Sequence, residues 1–205
     1  GVEPGSGVGS SILPMKLPSL ILASASPRRA ELLGYLGVDF TVIPSAAEET
    51  ADGHLTPEEI CLLNAYRKAR AVAKEHPDRL VLGADTIVCL GTTVFGKPAS
   101  LAAARRTLNA LQGVAHSVIT GMCLIQWDSH RERVFCETTQ VSFRELSAGQ
   151  INRYLAAIDP LDKAGAYAIQ DHGEMIVEQV SGSFTNVVGL PLGRLREELE
   201  SWSAK

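Results

Sequence analysis

The sequence is poor in the features that mark specialised classes of protein. Only four of its 205 residues are cysteine and 5% are aromatic. No apolar run approaches the ~20 residues that a membrane span needs. There is also no secretory leader with a basic start and an apolar core. We therefore expect a cytoplasmic protein with no membrane partner. The cysteines form no CxxC pair and have no histidine at zinc-finger spacing, which favours reduced, buried thiols. They are Cys61, Cys89, Cys123 and Cys136.

Basic charge is also scarce. The chain has 19 Lys and Arg residues against 23 Asp and Glu residues, giving a net charge of −4. A protein that binds a nucleic-acid polymer normally carries a basic excess, so no such partner is expected. A small anionic ligand held by a few local cations remains compatible with this balance.

The common catalytic signatures are missing too. The sequence contains no G-x-S-x-G elbow, Walker loop, G-x-G-x-x-G turn or H-E-x-x-H pair. Its five histidines are dispersed, and none accompanies a nucleophile in the sequence. Covalent catalysis by serine or cysteine therefore has no support.

What the sequence does have is an alternation of strand-like and helix-like segments. We interpret residues 1–16 as a flexible tail or a remnant of expression, and residues 17–205 as a single domain. Strands are predicted at 20–23, 40–43, 80–82, 87–90, 116–127, 134–143 and 175–180, and helices at 26–37, 56–74, 100–113, 147–157 and 192–202. This order, with a long hairpin in its second half, predicts an α/β fold with a mixed sheet.

The segment from Ser24 to Arg29 is the first candidate site. A predicted strand is followed by a helix that begins at Ser26-Pro27, and the next two residues are arginines. The first amides of a helix attract anions, and the planar guanidinium of Arg28 suits phosphate oxygens. An ordinary helix cap beside a solvated basic turn explains the same residues.

Asp85 is the second candidate. It lies in Gly83-Ala84-Asp85-Thr86, where we predict that a buried strand ends. A carboxylate at the tip of such a strand can hold Mg²⁺ or accept a proton from an attacking water. A carboxylate that caps a turn is the alternative.

Other charged residues fit the same chemistry. Two lysines are able to neutralise phosphate charge: Lys68, at the edge of the apolar stripe of a predicted helix, and Lys97, between Gly96 and Pro98. The alternative is that both are ordinary surface lysines. One of Glu48 and Glu49 is able to complete a magnesium site with Asp85, or both are simply solvated. The small residues from 162 to 170 allow close approach to a ligand, and Gln170 adds an amide.

Taken together, these segments resemble the Maf family of nucleoside triphosphate pyrophosphatases. The matching stretches lie in family order from Leu20 to Pro191. They are Leu22–Arg29, Glu48-Glu49, Lys68-Ala69, Gly83–Thr86, Gly96–Pro98, Asp162–Tyr167 with Ile169-Gln170, and Val188–Pro191. No single stretch is decisive, but the ordered set is specific.

The resemblance implies an elongated α/β fold with a central cleft, like that of the inosine-triphosphate pyrophosphatases, and usually a homodimer. It implies hydrolysis of a nucleoside triphosphate to the monophosphate and pyrophosphate, with Mg²⁺ or Mn²⁺ as cofactor. The roles implied for individual residues are catalysis by Asp85, Lys97 and Lys68, substrate binding by Ser24, Arg28, Thr86 and Gln170, and metal binding by Glu49 and Asp85.

The subgroup that acts on dTTP and UTP is similar at Arg28, Thr86 and Gln170. Two departures from the family pattern, Ala168 and Asp171-His172, lie away from the phosphate machinery. They leave open the same chemistry on another base, such as 7-methyl-GTP. A role as a non-enzymatic regulator of septum formation that binds a nucleotide is the alternative from another class.

Overall fold

A computed structural model describes residues 16–204 of the chain. The predicted tail lies outside the described residues except for Lys16. The strands are β1 (Leu20–Leu22), β2 (Phe40–Val42), β3 (Leu80–Leu90), β4 (Thr93–Phe95), β5 (Ala115–Gln126), β6 (Arg131–Phe143) and β7 (Val177–Ser181). The helices are α1 (Pro27–Gly34), α2 (Pro57–Glu75), α3 (Leu101–Leu111), α4 (Ala148–Ala157), α5 (Phe184–Val188) and α6 (Leu192–Ser203).

All seven strands belong to one mixed sheet. Their order is β2-β1-β3-β5-β6-β7, and β4 pairs with β3 beside this path. The strand β1 runs parallel to β2 and β3, whereas β5, β6 and β7 continue from β3 in antiparallel fashion. The predicted mixed α/β sheet with a long hairpin is therefore confirmed.

The helix starts follow from their capping residues. Ser26, Thr56, Ser100 and Ser147 each accept a hydrogen bond from a backbone amide three residues later. Such caps satisfy amides that have no partner inside the helix, which fixes where each helix begins. The predicted starts of these four helices are therefore confirmed.

One edge of β3 is open in its middle. The strand β1 ends opposite Leu82, and β4 pairs only from Val88 onward. Among the described strands, none covers residues 83–87 on that side. The prediction that a strand ends at Asp85 was wrong: β3 runs unbroken from Leu80 to Leu90, because β5 pairs with it along nearly its whole length. It is the neighbour β1 that ends, and this leaves a gap.

Helices cover both faces of the sheet around this gap. On one face α1 and α6 pack on β3 through Leu33, Leu199 and Leu82. On the other face α2 packs through Ala65 and Ala69. The helices α3 and α4 form a separate core beside the far half of β5 and β6. Within the described residues, no helix is long and apolar enough to cross a bilayer.

The close approach of α2 depends on two glycines. A Cβ at Gly83 would stand 2.3 Å from the carbonyl oxygen of Ala65, and one at Gly121 would stand 2.5 Å from the carbonyl carbon of Cys61. Real Cβ atoms essentially never come that close, so only glycine lets α2 lie directly on β3 and β5. This contact brings the side chains of α2 to the gap.

The sequence did not predict three features. The extended segment that forms β4, the short helix α5 and three 3₁₀ turns between α4 and β7 have weak local patterns and depend on their neighbours. The four cysteines are free, as expected, and all but Cys136 are buried.

Candidate active site

Two carboxylates and an ammonium group meet beside the gap. The Nζ atom of Lys68 lies 2.8 Å from Oδ1 of Asp85 and 2.6 Å from Oε1 of Glu49. The side chains of Lys68 and Asp85 are only 13% and 10% exposed, whereas that of Glu49 is 63% exposed. Lys68 therefore bridges a buried carboxylate on β3 and an exposed one in the loop after β2.

The Lys68 ammonium lowers the pKa of Glu49. Its hydrogen bond to that carboxylate is the main cause, and the charges of Lys97 and Arg29 act in the same direction against the effect of burial. Glu49 is therefore ionised at neutral pH.

Asn64 is the second partner of Asp85. Its Nδ2 atom donates to Oδ2 of Asp85 at 3.0 Å, so both oxygens of this carboxylate accept a hydrogen bond. Because Asn64 and Lys68 are four residues apart on α2, their side chains leave the same face of the helix. The Asn64 side chain also forms hydrogen bonds with the backbone N–H and C=O groups of Thr50, in the loop that carries Glu49.

Arg29 enters the gap from the first turn of α1. Its Nε donates to the carbonyl oxygen of Gly189 at 2.9 Å, and its two terminal nitrogens donate to Oγ1 of Thr86 at 2.9 Å and to Oγ of Ser24 at 3.4 Å. Burial lowers the pKa of Arg29, opposed by the negative charges of Asp85 and Glu49. A guanidinium starts so high that it stays protonated, so Arg29 is a fixed cation.

Thr86 faces Arg29 and a chain of buried polar groups. Its hydroxyl lies 2.9 Å from that of Thr120 on β5, which in turn donates to the carbonyl oxygen of Asn186 in α5. The amide of Asn186 donates onward to Thr139 on β6. These contacts hold Thr86 as an acceptor for Arg29.

Lys97 lies at the outer side of the site. It pairs with Asp162 at 3.0 Å, and both side chains are largely exposed. The hydrogen bond from Lys97 lowers the pKa of Asp162, with a smaller contribution from the charge of Arg28. The charge of Lys97 also lowers the pKa of Glu49. Lys97 therefore interacts electrostatically with carboxylates on both sides of the site.

Gln170 is exposed in the turn that follows Ile169. Among the described residues it has no hydrogen bond to Asp85, Lys68 or Arg29. The salt bridge of Lys163 with Asp171, 3.6 Å long, fastens this turn close to Asp162. The structure thus brings Asp85, Lys68, Ser24 and Thr86 together at the gap, with the exposed Glu49 bound to Lys68. Within the described residues, no hydrogen bond or ion pair joins Arg28 or Gln170 to this group.

From the sequence, Arg28 rather than Arg29 was the predicted phosphate-binding arginine, and Asn64 was not among the predicted site residues. A signal for both was present. Arg29 begins the i, i+3, i+4, i+7 stripe that continues in Leu32, Leu33 and Leu36, all three of which are buried. Asn64 is a polar residue inside the apolar stripe of α2.

Two residues of the site, Glu49 and Asp85, have the donor chemistry that a divalent cation of the magnesium type requires. Oxygens of Glu49 and Asp85 converge on a single point, which the Lys68 ammonium occupies. Carboxylate oxygens are the ligands that Mg²⁺ and Mn²⁺ prefer. Among the described residues no group of three or more His, Cys, Asp or Glu side chains is arranged as a metal site.

The fold and the site define an α/β protein that gathers cations and carboxylates at a gap in its sheet. The fold is similar to that of the Staphylococcus aureus Ham1 protein, with a TM-score of 0.54 over 90% of this chain and 99% of that one. The two sequences are 19% identical, so the likeness concerns the fold alone. It confirms the predicted fold class.

The family follows from the sequence. The model of the family described as Maf-like protein matches residues 19–202, and the chain belongs to this family. A relative from Gloeobacter violaceus is 47% identical over 91% of this chain and 97% of its own length. One from Bacillus anthracis is 44% identical over 90% and 95%. Both are named dTTP/UTP pyrophosphatase.

Proposed function

We propose that this chain is a dTTP/UTP pyrophosphatase, which hydrolyses these nucleotides to the monophosphate and pyrophosphate. The observation that carries the proposal is the cluster of Asp85, Lys68 and Glu49 beside the fixed guanidinium of Arg29. Relatives at 44% and 47% identity that bear this name support the substrate. Clearing modified pyrimidine nucleotides is an extension of the same activity.

The cations hold the triphosphate. Arg29 keeps terminal N–H groups beyond those used by Ser24 and Thr86, and Arg28 and Lys97 add charge at the entrance. Fixed positive charge counts most where negative charge builds up on the phosphate oxygens in the transition state. Lys97 must exchange Asp162 for phosphate, which costs little because the pair is exposed.

Asp85 accepts the proton of the attacking water. The water oxygen forms a bond to the α-phosphorus, the bond from that phosphorus to the bridging oxygen breaks, and pyrophosphate leaves with the electron pair. Each oxygen of Asp85 keeps a lone pair beyond the one used by Lys68 or Asn64. A divalent cation held by Glu49 and Asp85 would neutralise charge on the phosphate oxygens.

Gln170 selects the base. Its amide has a donor and an acceptor for the adjacent C=O and N–H groups on the edge of uracil or thymine. A site built on such pairs rejects bases that leave its polar groups unpaired. The salt bridge between Lys163 and Asp171 supports this role, because it ties the residue after Gln170 to the residue after Asp162, which is the partner of Lys97.

A panel of triphosphates with Mg²⁺, scored for pyrophosphate release, tests the proposal. We expect dTTP and UTP to exceed purine nucleotides and 7-methyl-GTP; equal rates on all bases would refute the role of Gln170. We expect Asp85→Asn to lose at least about 100-fold in kcat, and the exposed Asp128→Asn to lose nothing. A wild-type chain that binds nucleotide without turnover in Mg²⁺ or Mn²⁺ would support the regulator instead.

The expected homodimer is a further proposal, supported by the resemblance alone. Light scattering of the full chain measures it directly. A mass near 21.9 kDa, that of a single chain, would refute it.

A further inference from the structure

Asn64 is one of the few buried polar side chains, with 3% of its surface exposed. Its Nδ2 donates to Oδ2 of Asp85 at 3.0 Å and to the carbonyl oxygen of Thr50 at 3.1 Å. Its Oδ1 accepts from the amide of Thr50 at 2.8 Å. Both hydrogens of the amide nitrogen and its oxygen are therefore in use.

These bonds join two parts of the chain that the site needs at a fixed separation. Thr50 directly follows Glu49, in a segment between β2 and α2 that forms no strand or helix. The side chain of Glu49 is mostly exposed and is held at its tip by Lys68. The backbone of Thr50, in contrast, is fixed to Asn64 by a pair of hydrogen bonds, like a residue in a sheet.

We infer that Asn64 is a positioning residue, which holds the Glu49 loop and Asp85 at a fixed separation. At this separation both carboxylates meet at the Lys68 ammonium. The inference rests on the proposed function for its catalytic consequence. Asn64 contacts Asp85 and Thr50, and it acts on the reaction through these two partners.

The chemistry of the position requires a primary amide of this length. Leucine has a similar size but would leave the Thr50 amide, the Thr50 carbonyl and one oxygen of Asp85 without a partner, and buried unpaired polar groups are costly. Aspartate would keep the acceptor for Thr50 but lose both donors and set a second carboxylate against Asp85.

The first experiment is a double-mutant cycle on the hydrolysis of dTTP with Asn64→Leu and Glu49→Gln. We expect N64L to lower kcat by about 10- to 100-fold, the usual cost of removing a residue that orients the charged groups of a site. The KM should change little, because Arg29 and Lys97 are untouched. In the E49Q background N64L should cost less than it does in the wild type, since the part of its effect that acts through the Glu49 loop is already lost.

The matched control is Leu199→Ala, which creates a cavity in the core where α6 packs on the sheet. It lowers stability without touching the site, so its kcat should equal that of the wild type at temperatures where it is folded. A loss of kcat in N64L that is fully additive with that of E49Q, or an equal loss in L199A, would overturn the inference.

The second experiment does not need enzymatic activity. We expect the amide of Thr50 to be protected from hydrogen exchange in the wild type and to exchange at least about tenfold faster in Asn64→Leu. The amide of Ile60, which donates to the carbonyl oxygen of Thr56, should stay protected in both. If N64L does not fold, Asn64→Ala serves for the same measurements.

The two experiments separate the possible failures. A wild-type chain that hydrolyses no triphosphate would refute the proposed function. The hydrogen exchange of the Thr50 amide would still test whether Asn64 holds this loop. Unchanged protection of Thr50 in the folded variant would refute the positioning role of Asn64, even if the chain is an active pyrophosphatase.

Discussion

Lys68 is a single positive charge that two carboxylates share. Its Nζ lies within 3 Å of both Glu49 and Asp85, and its side chain is largely buried with that of Asp85. Removing one partner from a buried ion pair leaves a charge without compensation, which costs more than the pair itself contributes. Lys68 is therefore important for stability as well as for charge at the site.

We expect Lys68→Met to lower the free energy of unfolding by about 3 kcal/mol at neutral pH. The pKa of Glu49 is lowered in the folded state, so its part of this contribution is complete above its ordinary pKa of 4.5 and is lost as the pH falls through the lowered folded-state value. Urea unfolding of both proteins at pH 7 and in acid measures the difference.

Lys97→Met is the control for this prediction. The Lys97–Asp162 pair is 65% and 71% exposed, so its loss should change stability by less than about 1 kcal/mol. An effect of Lys68→Met that is no larger than that of Lys97→Met, or that grows in acid, would contradict the assignment.

The adjacent arginines have different surroundings and should behave differently. Arg29 is fixed by Ser24, Thr86 and Gly189. The side chain of Arg28, in contrast, forms no hydrogen bond with another described residue. We expect Arg29→Ala to lower kcat/KM for dTTP by about 100-fold. Arg28→Ala should raise KM by about tenfold, the loss of one charged hydrogen bond. Steady-state kinetics on dTTP checks both, and equal effects of the two variants would argue against the separate roles.

At the scale of elements, the site depends on the contact between α2 and β3. The helix carries Asn64 and Lys68 one turn apart, and the strand carries Asp85. Gly83 allows the two backbones to touch. The chemistry of the site thus depends on a residue that has no functional group.

We expect Gly83→Ala to push α2 away from β3, because the new methyl group meets the backbone of Ala65 and Ala69. Overpacking of this kind costs about 1–3 kcal/mol of stability, and kcat should fall as Lys68 separates from Asp85. Gly34→Ala in α1 is the control, since nothing lies within 4 Å of the added Cβ. Gly34→Ala should leave kcat unchanged and raise the free energy of unfolding by about 0.5–1 kcal/mol. Thermal unfolding and kcat of both variants test this, and a fully active, stable G83A would contradict it.

At the scale of the whole molecule, a buried histidine makes the stability of the fold depend on pH. His116 on β5 is 1% exposed, and its Nε2 lies 2.9 Å from the hydroxyl of Tyr167. Burial lowers the pKa of His116 from 6.5 to about 4. The unfolded chain therefore takes up this proton at a higher pH than the folded chain does.

Stability should therefore fall as the pH drops from 6.5 to 4, by about 3 kcal/mol from His116 alone. We expect His116→Gln, which keeps an amide for Tyr167 but does not titrate, to show a flatter dependence in this window. Unfolding free energies of both proteins across the window test this, and parallel curves would show that His116 does not cause the slope.

Much of this molecule was predictable from local patterns. The capping residues Ser26, Thr56, Ser100 and Ser147 gave the helix starts, and the apolar alternation of β5 and β6 gave the hairpin. The ordered motifs gave the family, which is confirmed, and the activity by which the relatives are named. The roles of the individual site residues stay predictions.

The sequence alone determined the elements and the types of charged residue, because caps, periodicity and residue chemistry are local properties. Only the tertiary structure decided where Asp85 lies, since the gap beside it arises from β1 ending while β5 continues to pair with β3. It likewise decided that Arg29 rather than Arg28 enters the gap, and that Asn64 joins Thr50 to Asp85. These contacts span from 14 to 160 residues along the chain, and packing brings such distant groups together.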